Sequence, residues 1–177
     1  MNAMTDDKAS ITFRLATEAD LPTVMTIVAE ARQFLHDREI PQWQGPYPTE
    51  ATFLADIKQR ALWVAVRAQK VVLMMTLLHG PDPNYSDIDG EWVQPTSEYL
   101  VMHRIAVTRT VAGQGVAQAA FAFALQQAQV LKLVSLRFDT HELNTGMRHL
   151  ASKKDFTFCG TVLMADGTPR VAYEKLV

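Results

Sequence analysis

A chain of 177 residues suits one domain of ordinary size with a sizeable core. Apolar residues at 48% and charged ones at 20% exclude a disordered chain, and 17 basic against 19 acidic side chains (net −2) argue against a nucleic-acid partner. The lone Cys159 excludes an internal disulfide and suits a reducing cytoplasm, no stretch has the length of a membrane span, and the opening MNAMTDDKAS lacks the apolar core of a signal peptide.

Those first ten residues are polar and read as a mobile arm, with a single domain over 11–177. Ile11, Phe13 and Leu15 then alternate, which marks a strand. A helix follows with Leu21, Val24, Val28, Ala31 and Leu35 on one face; Thr17 or Asp20 can cap it, the latter placing Pro22 in the first turn. The segment 40–48, IPQWQGPYP, is a loop punctuated by proline and glycine. Thr49 can cap a second helix whose inner face includes Phe53, Ile57 and Ala61. Strands over 62–66 and 71–78 form a hairpin around Gln69.

The stretch 81–97 is long and irregular and holds Asp82, Asp87, Asp89 and Glu91, acidic enough to gather a cationic ligand if it lies at a cleft mouth. Next come a strand ending Ile105-Ala106-Val107, a helix over 114–130, a strand over 133–138 and a short helix over 144–153. Strands over 157–164 and 170–175 flank an Asp166-Gly167 turn. The alternation argues a mixed α/β sheet.

The most informative segment is EYLVMHRIAVTRTVAGQGVAQ, residues 98–118: an apolar strand, a turn, then glycines opening into an alanine-rich helix. Such a turn presents unpaired backbone N–H groups at the positive end of a helix, a ready site for phosphate. A P-loop would need a Lys after its last glycine, and none follows Gly115 until Lys132. A dinucleotide fold needs a third small residue where this chain has Gln118, and its glycines usually come first; Asp139 mimics the acid that holds ribose in that fold.

The third option fits best. From about Ile11 to its end the chain resembles the GNAT N-acetyltransferase superfamily, whose acyl-CoA motif Gln/Arg-x-x-Gly-x-Gly/Ala falls on Ala112-Gly113-Gln114-Gly115-Val116-Ala117. Its glycine and final small residue match; the leading Gln/Arg is Ala112. The segment DTHELNTGMRHLASKKDF stands where the family has Asn-x-x-Ala…Gly-Phe, with Asn144, Met147, Leu150 and Phe156 kept, Ala151 in place of the usual Tyr and Asp155 in place of Gly. The resemblance implies the acyl-CoA N-acyltransferase fold: a mixed, mostly antiparallel sheet of about seven strands with helices on both faces.

It also implies acetyl-CoA as co-substrate, with no metal. The amides of Gly113, Gln114, Gly115, Val116 and Ala117, with Gln118 beyond, would hold the pyrophosphate. By position, the backbone of Ile105, Ala106 and Val107 would pair with pantetheine and the developing oxyanion. Asn144 matches the family's Asn near the CoA tail, although helix capping explains an Asn there equally well.

His103 is the candidate base, because an imidazole titrates near neutral pH. Arylalkylamine acetyltransferases carry a functional His at this strand position, whereas the histone enzymes use a Glu two residues earlier, here Val101. His103 is expected to share a strand face with Val101, Ile105 and Val107. Tyr173, Cys159 or water could stand in for the missing acid. Trp43 and Tyr47 lie in the loop where the superfamily lines its acceptor pocket, and His141 and Asp139 fall just past a strand bordering the cleft.

The expected activity is N-acetyl transfer to a primary amine of a small molecule or peptide by direct attack in a ternary complex. A non-catalytic acyl-CoA-binding or regulatory domain is the alternative, and a dinucleotide oxidoreductase a weaker third. The amine is the expected partner, with no nucleic acid and no membrane; a homodimer is left open.

Overall fold

The computed structural model describes residues 10–177, so the arm expected over 1–10 lies, Ser10 apart, outside the described residues. The strands are β1 (Thr12–Leu15), β2 (Leu62–Arg67), β3 (Lys70–His79), β4 (Ile88–Gly90), β5 (Tyr99–Val107), β6 (Ser135–Thr140), β7 (Thr157–Leu163) and β8 (Pro169–Leu176). The helices are α1 (Leu21–Asp37), α2 (Glu50–Lys58), α3 (Val116–Val130) and α4 (Thr145–Lys153). One sheet runs in the order β1-β2-β3-β5-β6-β8-β7-β4, antiparallel throughout except where β5 meets β6. None of the described helices is long and apolar enough to cross a membrane.

Local chemistry sets most boundaries. Ala68 and Gln69 both take left-handed dihedrals (φ 48° and 65°), the two-residue turn whose twist suits the β2–β3 hairpin. Thr49 caps α2 by accepting the Thr52 N–H at 3.3 Å. Thr17 precedes a 3-10 turn, Glu18–Asp20, and α1 begins after it with Pro22 in its first turn. The Asp20 carboxylate is held by Arg14 at 2.7 and 2.9 Å and by the Thr17 N–H.

The sheet has eight strands rather than about seven. The extra one, β4, pairs with β7 inside the stretch expected to be irregular. Only three residues long, it carries no readable period, and its pairing rests on glycine. Gly90 faces Gly160, and a Cβ on either would come within 2.1 or 2.2 Å of the facing backbone. Ala61 falls beyond the end of α2, and α3 starts at Val116 rather than Gln114 because Gly115 is its left-handed N-cap.

Helices cover both faces. On one, α3 and α4 pack Phe121, Ala124 and Ala151 against Leu100, Met102, Leu136 and Tyr173. On the other, α1 and α2 bury Val24, Val28 and Phe53 over Val64, Met74 and Ala106. Beside them the segment 81–97 folds over β5, β8 and β7 through Tyr85, Tyr99, Val101 and Val162. That face therefore has two roofs, helical and loop.

Candidate active site

The roofs meet where the sheet comes apart. β5 and β6 pair in parallel only from Tyr99/Ser135 to Val101/Arg137, yet β5 continues to Val107 and β6 to Thr140. Beyond Val101 the two strands leave a gap lined by backbone. The Thr108 N–H donates to Val72 O at 2.9 Å, so by ladder alternation Ala106 also faces β3, and the Val107 N–H faces the gap. Of the three residues expected to offer amides there, Ala106 thus directs its own away. Ile105 has no partner across the β3 ladder.

The reason is a bulge. Thr76 pairs with His103 and Met74 with Ala106, leaving Arg104 and Ile105 against Met75 alone, with Arg104 at φ 51°. The extra residue flips the alternation. His103 stays with Tyr99 and Val101 on the loop-covered face, while Ile105 and Val107 pack on the α3 side. The expectation that His103 shares a face with Ile105 and Val107 is corrected accordingly.

His103 and Arg104 tie down the two roofs. His103 Nε2 lies 2.6 Å from Asp82 Oδ2, with 18% and 12% of the two side chains exposed. Asp82 Oδ1 accepts the Asn84 N–H at 2.8 Å, and the Asp82 N–H donates to the Tyr99 hydroxyl at 2.8 Å. Arg104 forks onto Asp56 at 2.9 and 2.8 Å and donates to the Tyr47 hydroxyl at 2.7 Å. Asp56, buried on α2, also accepts from Thr76 at 2.8 Å. The loop after α1 is therefore hooked to the residue next to His103.

Across the gap β6 contributes Asp139, which accepts the Tyr85 O–H at 2.6 Å. The Tyr85 ring lies 6.1 Å from that of His103. Burial pushes the Asp139 carboxyl above its usual range, only partly offset by the charge of His103 and the Tyr85 hydrogen bond. Asp82 behaves oppositely: burial would raise it, but the hydrogen bond and charge of His103 bring it below the ordinary carboxylate value. Tyr85 is held as a neutral phenol, its pKa well above 10 through burial and the nearby Asp139.

Asp82 is thus no part of a solvated acidic cluster; of the four carboxylates expected at a cleft mouth, Asp87, Asp89 and Glu91 are the surface ones. Trp43 is half-buried and packs against the α1–α2 core, whereas Tyr47 is 50% exposed. His141 sits in the turn after β6, its Nδ1 accepting the Leu143 N–H at 3.1 Å, and burial followed by the charge of Arg170 lowers its pKa. Asn144 caps α4, accepting the Met147 N–H at 3.3 Å. Tyr173 lies on the opposite face of the sheet, its hydroxyl accepting from Arg148 at 3.2 Å. Cys159 is buried in β7, and burial together with the charge of Glu174 pushes its thiol up.

The glycine turn has the features of an anion cradle. Gly113 and Gly115 take φ of 74° and 80°, and nothing in the protein lies within 4 Å of where a Cβ would stand on either. No side chain caps α3, and the Ala119 N–H bonds Gly115 O at 3.0 Å, so the amides of Val116, Ala117 and Gln118 precede the helical ladder. Gln114 departs from expectation: its N–H is taken by Val111 O at 3.2 Å. Its side chain instead accepts from Arg67 at 2.8 Å, which brings a cation beside the turn. These residues fit the diphosphate of a CoA-type substrate.

A parallel pair that splays beside a glycine-capped helix defines an acyl-CoA N-acyltransferase fold. The sequence model of the Acetyltransferase (GNAT) family matches residues 30–158, and the chain belongs to that family. A GNAT-family acetyltransferase from Streptococcus agalactiae is 30% identical with a TM-score of 0.86, covering 94% of this chain and 95% of its own. One from Listeria monocytogenes superimposes at 0.76 with 17% identity, covering 99% and 100%. The ribosomal-protein-S18-alanine N-acetyltransferase of Escherichia coli does so at 0.65 with 14% identity, covering 95% and 94%, a likeness of fold alone. No curated protein matches the chain.

Proposed function

We propose that the chain transfers the acetyl group of acetyl-CoA to a primary amine of a small molecule or peptide in a cytoplasmic ternary complex. The observation that carries this reading is the β5–β6 gap itself, with an anion turn at one end and His103 at its edge. Acetyl transfer to an ammonium needs the pyrophosphate held, the thioester carbonyl polarised and the amine deprotonated. The amides of Gly113, Gly115, Val116, Ala117 and Gln118 serve the first need, with Arg67 beside them. The Val107 N–H serves the second, and His103 takes the amine proton. The amine nitrogen then attacks the carbonyl carbon, the C–S bond breaks, and the thiolate takes the second nitrogen proton directly or through water. No covalent acyl-enzyme is required.

The acceptor pocket is assigned to the two roofs, with Tyr47 exposed on the helical side. The substrate in the name of the Escherichia coli enzyme keeps a peptide N-terminus among the acceptors to test. Ala151, fully buried at the usual Tyr position, favours the second reading of an acyl-CoA-binding domain without turnover. Thiol release from acetyl-CoA over a panel of small amines, amino acids, aminoglycosides and peptides, with acetylated product identified by mass, separates the two. Product from any of them supports transfer; CoA binding with no release across the panel leaves the non-catalytic reading.

A further inference from the structure

The segment 81–97 contributes more than a roof. We propose that Asp82 is a positioning residue that fixes His103 in the tautomer carrying its proton on Nε2, making Nδ1 the atom that accepts the amine proton. This deepens the reading of His103 as base and rests on it.

The two oxygens of Asp82 have separate partners. Oδ1 accepts the Asn84 N–H at 2.8 Å and Oδ2 lies 2.6 Å from His103 Nε2. A carboxylate can only accept, so the imidazole nitrogen that faces it must be the one that donates. Nδ1 then keeps its lone pair, and among the described residues it has no hydrogen-bond partner. The carboxylate is itself held: the Asp82 N–H donates to Tyr99 and Asp82 caps the 3-10 turn Pro83–Tyr85. Its near-burial excludes most competing water.

The ammonium gives one proton to Nδ1, leaving an imidazolium whose Nε2–H points at the Asp82 carboxylate; the imidazolium later releases that proton to solvent. Asp82 stays ionised throughout. Three ionisable groups lie beside the imidazole: Asp82 and Tyr85 from the 81–97 segment and Asp139 from β6. Arg104, the next residue, is neutralised by Asp56.

The isosteric change Asp82→Asn gives a sharp test. Only the oxygen of the new amide can accept the Asn84 N–H, so its NH2 would face Nε2 and draw a lone pair there. The proton would move to Nδ1 and block the base. Nitrogen-15 spectra of the imidazole should show the Nε2–H tautomer in the unmodified protein, an observation that needs neither a variant nor turnover. In Asp82→Asn they should show Nδ1–H and a lower titration midpoint. Turnover should fall by on the order of 10², with the KM for acetyl-CoA unchanged and the acid limb of the pH profile moved down.

An Nδ1–H tautomer in the unmodified protein overturns the proposal. So does an Asp82→Asn variant that turns over within about twofold of the parent while His103→Ala is impaired, an outcome that leaves His103 as base without a dyad. If His103→Ala retains full activity, the base reading itself fails and the role of Asp82 in catalysis falls with it.

Discussion

Asp139 and Asp82 are both carboxylates beside His103, yet their energetics run in opposite directions. Asp139 has its pKa raised by burial, so the folded chain binds its proton more tightly than the unfolded one. Its contribution to stability therefore declines as pH rises above the unfolded value and is lost through the folded one. Asn in its place would still accept the Tyr85 O–H without a buried charge. Asp139→Asn should melt higher than the parent at neutral pH, by about 2–4 °C for each kcal/mol relieved. The gain should vanish as pH falls below the carboxylate range; a variant no more stable at neutral pH would contradict the assignment. Asp82, its pKa lowered, contributes stability that is lost as pH falls. None of this pairing was legible in the sequence. His103 could be singled out by its residue type and distance from the glycines, but Asp82 lies 21 positions away, and only the path of the 81–97 segment brings them together.

At the scale of elements, the glycine turn and α3 were readable because strand, glycines and apolar helix follow one another without interruption. The bulge was not. It rests on Arg104, a residue with no turn signature, held in a left-handed conformation by its fork to Asp56 and its bond to Tyr47. Reading β5 as an unbroken period-two strand therefore put Ile105 and Val107 on the wrong face. The turn yields a clean prediction. Gly115 sits at φ 80°, so any side chain strains the backbone, and Asn tolerates that region better than most residues. Gly115→Asn measures the steric and conformational cost, and Gly115→Asp adds a negative charge where phosphate would lie. Calorimetry should show CoA binding weaker in Asp than in Asn by about tenfold or more, a difference of roughly 1.4 kcal/mol, with both variants folded by circular dichroism. Unchanged affinity in Gly115→Asp would remove the turn from the site.

For the whole molecule, the gap depends on what holds each strand on its own side. Glu174, fully buried in β8, accepts from Arg137 at 3.0 Å, from Ser135, and from the Val93 N–H at 2.6 Å. Arg137 in turn lies over the rings of Trp92 and Tyr99 and donates to Gln94 O at 2.6 Å. A buried pair so fully hydrogen-bonded pins the 81–97 roof to β6 and β8 and sets the strand register where the split begins. The sequence offered Arg137 and Glu174 only as polar residues in apolar strands, because their meeting depends on strand order. The mixed α/β sheet was legible from the alternation of elements, and helices on both faces were implied by the family resemblance; the eighth strand was legible from neither. Amine deprotonation by His103 at this split is the proposed step on which acetyl transfer depends, and the pH dependence of kcat/KM for His103→Ala, measured beside the parent, is its sharpest test. Expected are a loss on the order of 10², disappearance of the limb on which activity rises as imidazole loses its proton, and CoA binding nearly intact. A variant that melts lower yet keeps the parental rate and pH profile would contradict it, leaving His103 a structural residue.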